Sequence, residues 1–236
     1  MATVAERIGA QDWPAACAEL DGRGWARLPA LLTTGECEGL VGLYDRRARF
    51  RSVVDMAPHR FGRGEYRYFA RPLPALVGRL RAGLYPRLVP LAHRWAGVLG
   101  DAASFPPTLA DFERVCAAAG QCRPTPLLLR YGPGDFNHLH QDLYGTVAFP
   151  LQVTCLLSAP GRGFRGGEFL LVESRPRTQS KPMVVPLAQG DAVVFPTRAR
   201  PIEGTRGWYR AAMRHGVSEV TRGRRLALGI IFHDAA

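Results

Sequence analysis

In the stretch RYGPGDFNHLHQDLYG, Arg130 to Gly145, two histidines stand at alternate positions, His138 and His140, and Asp142 follows two residues on. Successive side chains of an extended strand point to opposite faces, so these three would share one face. The run is either a metal site or the polar edge of an ordinary sheet. Two further residues bear on the choice: His215 in RHGVSEV, and Arg225 ten residues later at the start of RLALGIIFH. Two histidines and one carboxylate on one face of an octahedral Fe(II) leave three adjacent positions open, the arrangement of non-haem oxygenases. Imidazole and carboxylate suit Fe(II), and no thiolate is needed. A guanidinium can grip a carboxylate through two parallel hydrogen bonds. Arg225 would in that way anchor the distal end of 2-oxoglutarate while the keto-acid end chelates iron. His140, Asp142 and His215 are the candidate metal ligands.

These residues need rigid strands to bring them together. From Thr125 onward the runs PLLLRYG, LQVTCLLS, EFLLVES, MVVPLAQGDAVVFP, YRAAMRHGVSEV and RLALGIIFH are short and apolar, with Gly and Pro between them. That is the mark of an antiparallel sandwich or barrel. Before Thr125 the periodicity is mainly helical. PAACAELDGRGWARL reads as a short helix stopped by glycine, and TTGECEGLVGLYDRR as a second with Thr33 or Thr34 as its N-cap. PALVGRLRAGLYPRLVPLAHRWAGVLG follows, where Pro86 and Pro90 should kink or split the helix, and TLADFERVCAAAG gives one more. RFGRGEYRYFARPLP reads as a strand or an ordered loop. The expectation is α+β: a double-stranded β-helix (jelly-roll) core with N-terminal helices packed outside it. Residues 1–236 form a single domain on this reading, with 1–124 as mainly helical support and 125–236 as the catalytic core. The bare pattern HxD is common. Its placement is the stronger evidence, because each member falls on a strand of the all-β half.

Composition bounds the partners. No apolar run approaches the ~20 residues a membrane span needs. The start, MATVAERIGAQDW, has no basic segment followed by an apolar one, so no secretory leader is expected. Five scattered cysteines without a CxxC pair point to reduced thiols in a cytoplasm. A net charge of +11 fits a polyanion partner. Lys181 is the only lysine, so the same charge also fits arginine-rich, GC-rich coding.

At this level of detail the C-terminal half resembles the 2-oxoglutarate/Fe(II) dioxygenase superfamily. LLLRYGPGDFNHLHQD is similar to the approach to the iron site in AlkB-type nucleic-acid demethylases. FRGGEFLLVE, QGDAVVFP and RHGVSEVTRGRRLALGIIFHD look like that family's middle and closing strands. At nearly full length the chain resembles a bacterial family described as oxygenases acting on damaged DNA. The resemblance implies Fe(II), 2-oxoglutarate and O2 as cofactor and cosubstrates, a role for Tyr131 in holding 2-oxoglutarate, and single-stranded or damaged nucleic acid as partner. The chain departs from the AlkB pattern at two positions. Leu129 replaces an asparagine two residues before that tyrosine, and Ile231 replaces a second arginine that supports the iron-bound aspartate. The spacing HGVSEVTRGRR and the GGE element look closer to prolyl-hydroxylase-like oxygenases. A protein side-chain or small-molecule hydroxylase is therefore the alternative function.

A cupin-like, non-enzymatic metal protein would need His138 as a ligand. No glutamate follows at the spacing that motif requires, so His138 reads as a residue behind the ligands or facing substrate. His233 reads as structural. The segment from Arg46 to Arg71 interleaves arginines with aromatics, as a single-strand binding surface does. Arg63, Tyr66, Arg67 and Tyr68 are the candidates there for a substrate lid over the mouth.

Overall fold

The computed structural model describes residues 2–236. Five helices lie in the first half of the chain: α1 (Val4–Gly9), α2 (Trp13–Arg23), α3 (Thr34–Val41), α4 (Ala75–Leu99) and α5 (Leu109–Ala118). Local chemistry sets their ends. The side chains of Asp12, Thr33 and Thr108 accept the N–H groups of Ala15, Glu36 and Asp111. Glu36 reaches back to Thr33 to complete a capping box. Pro86 and Pro90 do not split their helix: both lie inside the continuous α4. Ala82, Pro86 and Pro90 form one exposed stripe, so the carbonyls of Ala82 and Pro86 that lose a partner face water. The opposite side buries Leu84, Tyr85, Leu88 and Leu91. At about 1.5–3 kcal/mol each, these side chains offset interior prolines that cost about 3 kcal/mol apiece.

The strands before residue 125 are β1 (Ala26–Leu28), β2 (Phe50–Asp55), β3 (Gly62–Arg63) and β4 (Glu65–Phe69). After it come β5 (Leu127–Tyr131), β6 (Phe136–His140), β7 (Leu151–Leu156), β8 (Phe164–Gly166), β9 (Phe169–Ser174) and β10 (Lys181–Val185). The last five are β11 (Ala192–Pro196), β12 (Ala199–Gly204), β13 (Gly207–Val217), β14 (Val220–Gly223) and β15 (Arg225–Ile230). One seven-stranded antiparallel sheet runs β1-β11-β7-β15-β5-β4-β2. A second sheet runs β10-β9-β13-β6-β3, with β12 on β13, and β14 pairs with β8 as a small separate ribbon. Three strands of the larger sheet therefore come from before residue 125. That half of the chain completes the barrel wall as well as backing it.

Alternation along β7 and β15 sorts core from cavity. Leu151, Val153, Cys155, Leu226, Leu228 and Ile230 pack outward into one apolar core with α4. Gln152, Thr154, Arg225, Ala227 and Gly229 face the space between the two sheets. A buried arginine of α4 pins helix to barrel: Arg81 donates to the carbonyl of Ile231 and to Asp234 Oδ1 at 3.0 and 2.6 Å. No helix among the described residues is long and apolar enough to cross a membrane.

Candidate metal centre and cosubstrate cavity

The two histidines come from neighbouring strands of the smaller sheet. β13 pairs with β6 so that His215 stands directly opposite His140, and their ring centroids lie 4.1 Å apart. Close strand approach there needs glycine after the histidine: a Cβ on Gly216 would lie 2.7 Å from the Asn137 carbonyl oxygen. Asp142 enters from the chain just beyond β6. Its Oδ2 is 3.2 Å from His215 Nε2 and its Oδ1 3.7 Å from His140 Nε2. One ligand atom from each of the three residues falls within 4.8 Å of the others.

Hydrogen bonds orient His140 and Asp142. His140 Nδ1 is 2.7 Å from the His138 carbonyl. That contact selects the tautomer with the proton on Nδ1 and leaves Nε2 free as a ligand. The Tyr144 hydroxyl donates to Asp142 Oδ1 at 2.7 Å, and the Tyr68 hydroxyl donates to that of Tyr144 at 3.0 Å. Burial alone would raise the Asp142 carboxyl, but His215, His140 and the Tyr144 bond together hold it well below the usual carboxylate range. Burial, with the neighbouring His215, lowers His140. The group is thus a carboxylate flanked by two imidazole nitrogens, the donor set that suits a divalent first-row metal such as Fe(II).

A cavity of about 440 Å³ extends from this group into the barrel. Its wall on the larger sheet can be read from the strand register. Arg225 stands opposite Tyr131; Ala227 lies between Leu156 and Leu129; Gly229 lies between Thr154 and Leu127. Tyr66 and Tyr68 continue the last two rows on β4. Arg225 is 2% exposed, its Nε has no partner, and it makes no ion pair among the described residues. Its guanidinium carbon lies 5.6 Å from the centroid of the Tyr131 ring. Room for it depends on Gly167, where a Cβ would sit 2.9 Å from Arg225 Cδ. A buried cation without an anion is costly, so the cavity's inner end fits a carboxylate ligand.

Other expected residues fall elsewhere. His138 lines the mouth, exposed, against Phe136, and does not join the His140, Asp142 and His215 group. Tyr66, Arg67 and Tyr68 are not a lid. They belong to β4, which is paired on both sides, and strand alternation turns the two tyrosines into the cavity and Arg67 away from it. Arg67 is tied off by Glu65 and the Tyr44 carbonyl and stacks on the Tyr44 ring. Arg63 is exposed on β3 and is not among the residues that line the cavity, which include its neighbours Arg60 and Phe61. His233 is fully buried, takes the Phe149 N–H, and is pushed down to about 4 by burial. Sequence reasoning missed Tyr144, although its parity with Asp142 was a usable signal, and Gln152, a buried amide whose Nε2 is unpaired in the cavity wall.

Residues 64–235 match a family described as an oxygenase catalysing oxidative methylation of damaged DNA. The chain belongs to this oxygenase family. Two curated proteins of Mycobacterium tuberculosis strains, both named only as uncharacterized, are 51% identical to it over 168 residues, 71% of this chain and 72% of each relative. Among solved structures, a 2OG-Fe(II) oxygenase family protein of Burkholderia pseudomallei superposes with TM-score 0.54 at 20% identity, covering 96% of this chain and 94% of that one. A Trichoplax adhaerens prolyl hydroxylase, solved with a hypoxia inducible factor peptide, reaches TM-score 0.58 at 14% identity over 97% and 91%. The oxygenase thus has the jelly-roll fold of 2-oxoglutarate-dependent Fe(II) enzymes and carries a His-Asp-His group that fits their metal.

Proposed function

We propose that the oxygenase is an Fe(II)/2-oxoglutarate-dependent dioxygenase that removes N-methyl groups from nucleic-acid bases. His140, Asp142 and His215 hold iron; Arg225, with Tyr131 beside it, holds the distal carboxylate of 2-oxoglutarate. The observation that carries the reading is the buried, unpaired Arg225 in the same cavity as the three ligands. With both bound, the metal and cosubstrate supply oxidation of a C–H bond, as 2-oxoglutarate and O2 are converted to succinate and CO2. The protein's part is to fix the ligand atoms, seat the dicarboxylate and keep water from the apolar wall formed by Leu127, Leu129 and Ala227. Such a site takes electrons from a C–H bond and holds no methyl donor. Chemistry at a methylated base therefore runs toward removal: the N-methyl group is hydroxylated and leaves as formaldehyde. The family description and the net charge of +11 support a nucleic-acid substrate. A base in a duplex would have to be flipped out or already single-stranded to reach the cavity. The five free cysteines fit a reducing cytoplasm.

The test is chemical. Methylated single-stranded oligonucleotide should yield formaldehyde in a reaction that needs 2-oxoglutarate and is lost in His140→Ala. A hydroxylated product without formaldehyde, on a panel of peptides and small molecules, would move the assignment to a hydroxylase. The leucine at 129 and isoleucine at 231 favour that rival, because they put apolar side chains in the cavity wall where the AlkB pattern has an asparagine and an arginine.

Tyr144 supplies what the absent second arginine would otherwise give Asp142. Holding one carboxylate oxygen in a hydrogen bond presents the other to the metal, and loss of such a partner weakens metal affinity by about 10- to 100-fold. Tyr144→Phe should lower the affinity for Mn(II), read by titration calorimetry on the folded protein, by that factor. Unchanged affinity would show that Asp142 is oriented by its two histidines alone.

A further inference from the structure

The small β8–β14 ribbon holds a feature that the oxygen chemistry does not use. Arg165 of β8 and Arg222 of β14 are direct cross-strand partners, and with Arg162 they line a pocket of about 140 Å³ floored by Gly161, Gly163 and Gly223. Partners in an antiparallel pair share a face, and like charges there repel. None of the three arginines makes an ion pair or side-chain hydrogen bond among the described residues, and all three are exposed. The two carboxylates that flank the ribbon do not relieve them: Glu168 is engaged by Ser218, and Glu219 forms no ion pair among the described residues. The pocket is too small for a base, since organic ligand sites run to roughly 300–1,000 Å³. Its size and its planar, fork-shaped donors fit a tetrahedral oxyanion, which would turn the repulsion into charge-assisted bonds.

Its position points to the source of that anion. Phe164 of β8 and Val220 of β14 pack with Tyr131, and a Cβ on Gly167 would meet both of them and Arg225, so the ribbon covers the end of the barrel where Arg225 stands. Val220 exchanges backbone hydrogen bonds of 2.8 Å with Gly134 and Asp135, the turn that leads into β6. β6 in turn carries His138 and His140 along the mouth. A strand whose target base enters the cavity would run along β6 toward this ribbon.

We propose that the pocket of Arg162, Arg165 and Arg222 binds a backbone phosphate of the nucleic-acid substrate, a step that rests on the nucleic-acid reading above. The pocket is a fixed phosphate contact that sets the register of the strand on the mouth, in contrast to the diffuse attraction of a basic surface.

The experiment uses the full-length protein and a fluorescent oligothymidylate, with affinity measured across a salt series. Each phosphate contact on a single strand contributes about 0.7 to the slope of log K against log salt. Arg165→Gln/Arg222→Gln removes the contact to that one phosphate and should therefore flatten the slope by about 0.7. Arg79→Gln/Arg206→Gln, which removes two equally exposed and unpaired charges elsewhere, should flatten it by less than half as much. The paired lysine substitutions at 165 and 222 keep the charge but lose the forked geometry, so they should retain the slope while affinity falls several-fold. Because the facing charges repel, Arg165→Gln alone should raise the melting temperature at low salt. Equal slopes for the two glutamine pairs would overturn the pocket, as would full affinity in the lysine pair. That failure, with formaldehyde still released from methylated strands, would leave the demethylase reading standing. No formaldehyde from the unaltered protein, with the slope difference intact, would remove the reaction and keep the phosphate site.

Discussion

Alanine at His140, Asp142 or His215 should abolish Fe(II)-dependent succinate formation, with or without a prime substrate, while the protein should stay folded. The three ligand atoms converge within 4.8 Å at the mouth of the barrel, outside the apolar core that joins β7 and β15 to α4. Removing one of three ligands should weaken metal binding beyond the roughly 10- to 100-fold loss that follows from removing a ligand's hydrogen-bond partner. Asp142→Ala is the sharpest case. It removes the only anion of the group and leaves two imidazoles 4.1 Å apart with nothing between them to balance a dication. The measurements are succinate yield and Mn(II) affinity, with circular dichroism to show the fold. His138→Ala is the matched control, because its ring lies outside the group and only its carbonyl serves His140. Full turnover by Asp142→Ala would sink the metal assignment. Loss confined to His138→Ala would revive a cupin-like site.

That His140, Asp142 and His215 could be singled out from sequence rests on one physical fact. Two of the three ligands stand on strands, where side chains alternate with a period of two, and the strand-forming runs around His140, His215 and Arg225 carry that period locally; Asp142 lies just past the end of β6. The runs at 127–131, 151–156, 169–174, 192–196 and 225–230 are strands for the same reason. What local pattern does not carry is partnership over long separations. β4 lies against β5 across more than fifty residues of intervening helix and loop, and only that pairing decides that Tyr66 and Tyr68 form wall and that Arg67 is consumed by Glu65 and Tyr44. An interleaved arginine and tyrosine segment looks alike in sequence whether it is a mobile cover or a paired strand. The prolines of α4 failed as breakers for a related reason. Their placement on the water-facing stripe is a property of the whole amphipathic helix, and the sequence rule weighs each proline singly. Tyr144 was hidden because a hydroxyl supporting a ligand has no motif of its own.

Arg225→Gln should raise the dissociation constant for 2-oxoglutarate by about 10- to 150-fold, the equivalent of roughly 1.5–3 kcal/mol for a charge-assisted bidentate contact. Metal affinity should hardly change, because Arg225 stands on the larger sheet opposite Tyr131 while both ligand histidines stand on the smaller one. The contrast in thermal stability is more telling. Burial lowers the Arg225 guanidinium's affinity for its proton; Glu168 offsets this only in part, and Arg225 makes no ion pair among the described residues. An uncompensated buried charge destabilises the fold. A neutral side chain of similar length should therefore raise the melting temperature of the ligand-free protein. The same change should erase most of the stabilisation that 2-oxoglutarate confers. A ligand at one hundred times its dissociation constant adds about 2.7 kcal/mol, and one at its dissociation constant only about 0.4 kcal/mol. A structural arginine would behave in the opposite way, with its loss lowering the melting temperature and leaving the ligand-induced shift intact. Arg224→Gln is the control: Arg224 is exposed and stands between β14 and β15, outside the cavity lining, so neither measurement should move. If 2-oxoglutarate still raises the melting temperature of Arg225→Gln by the full amount, the cosubstrate's distal carboxylate is held elsewhere. The unpaired amide of Gln152, with Thr154 beside it on β7, would then be the next residue to replace.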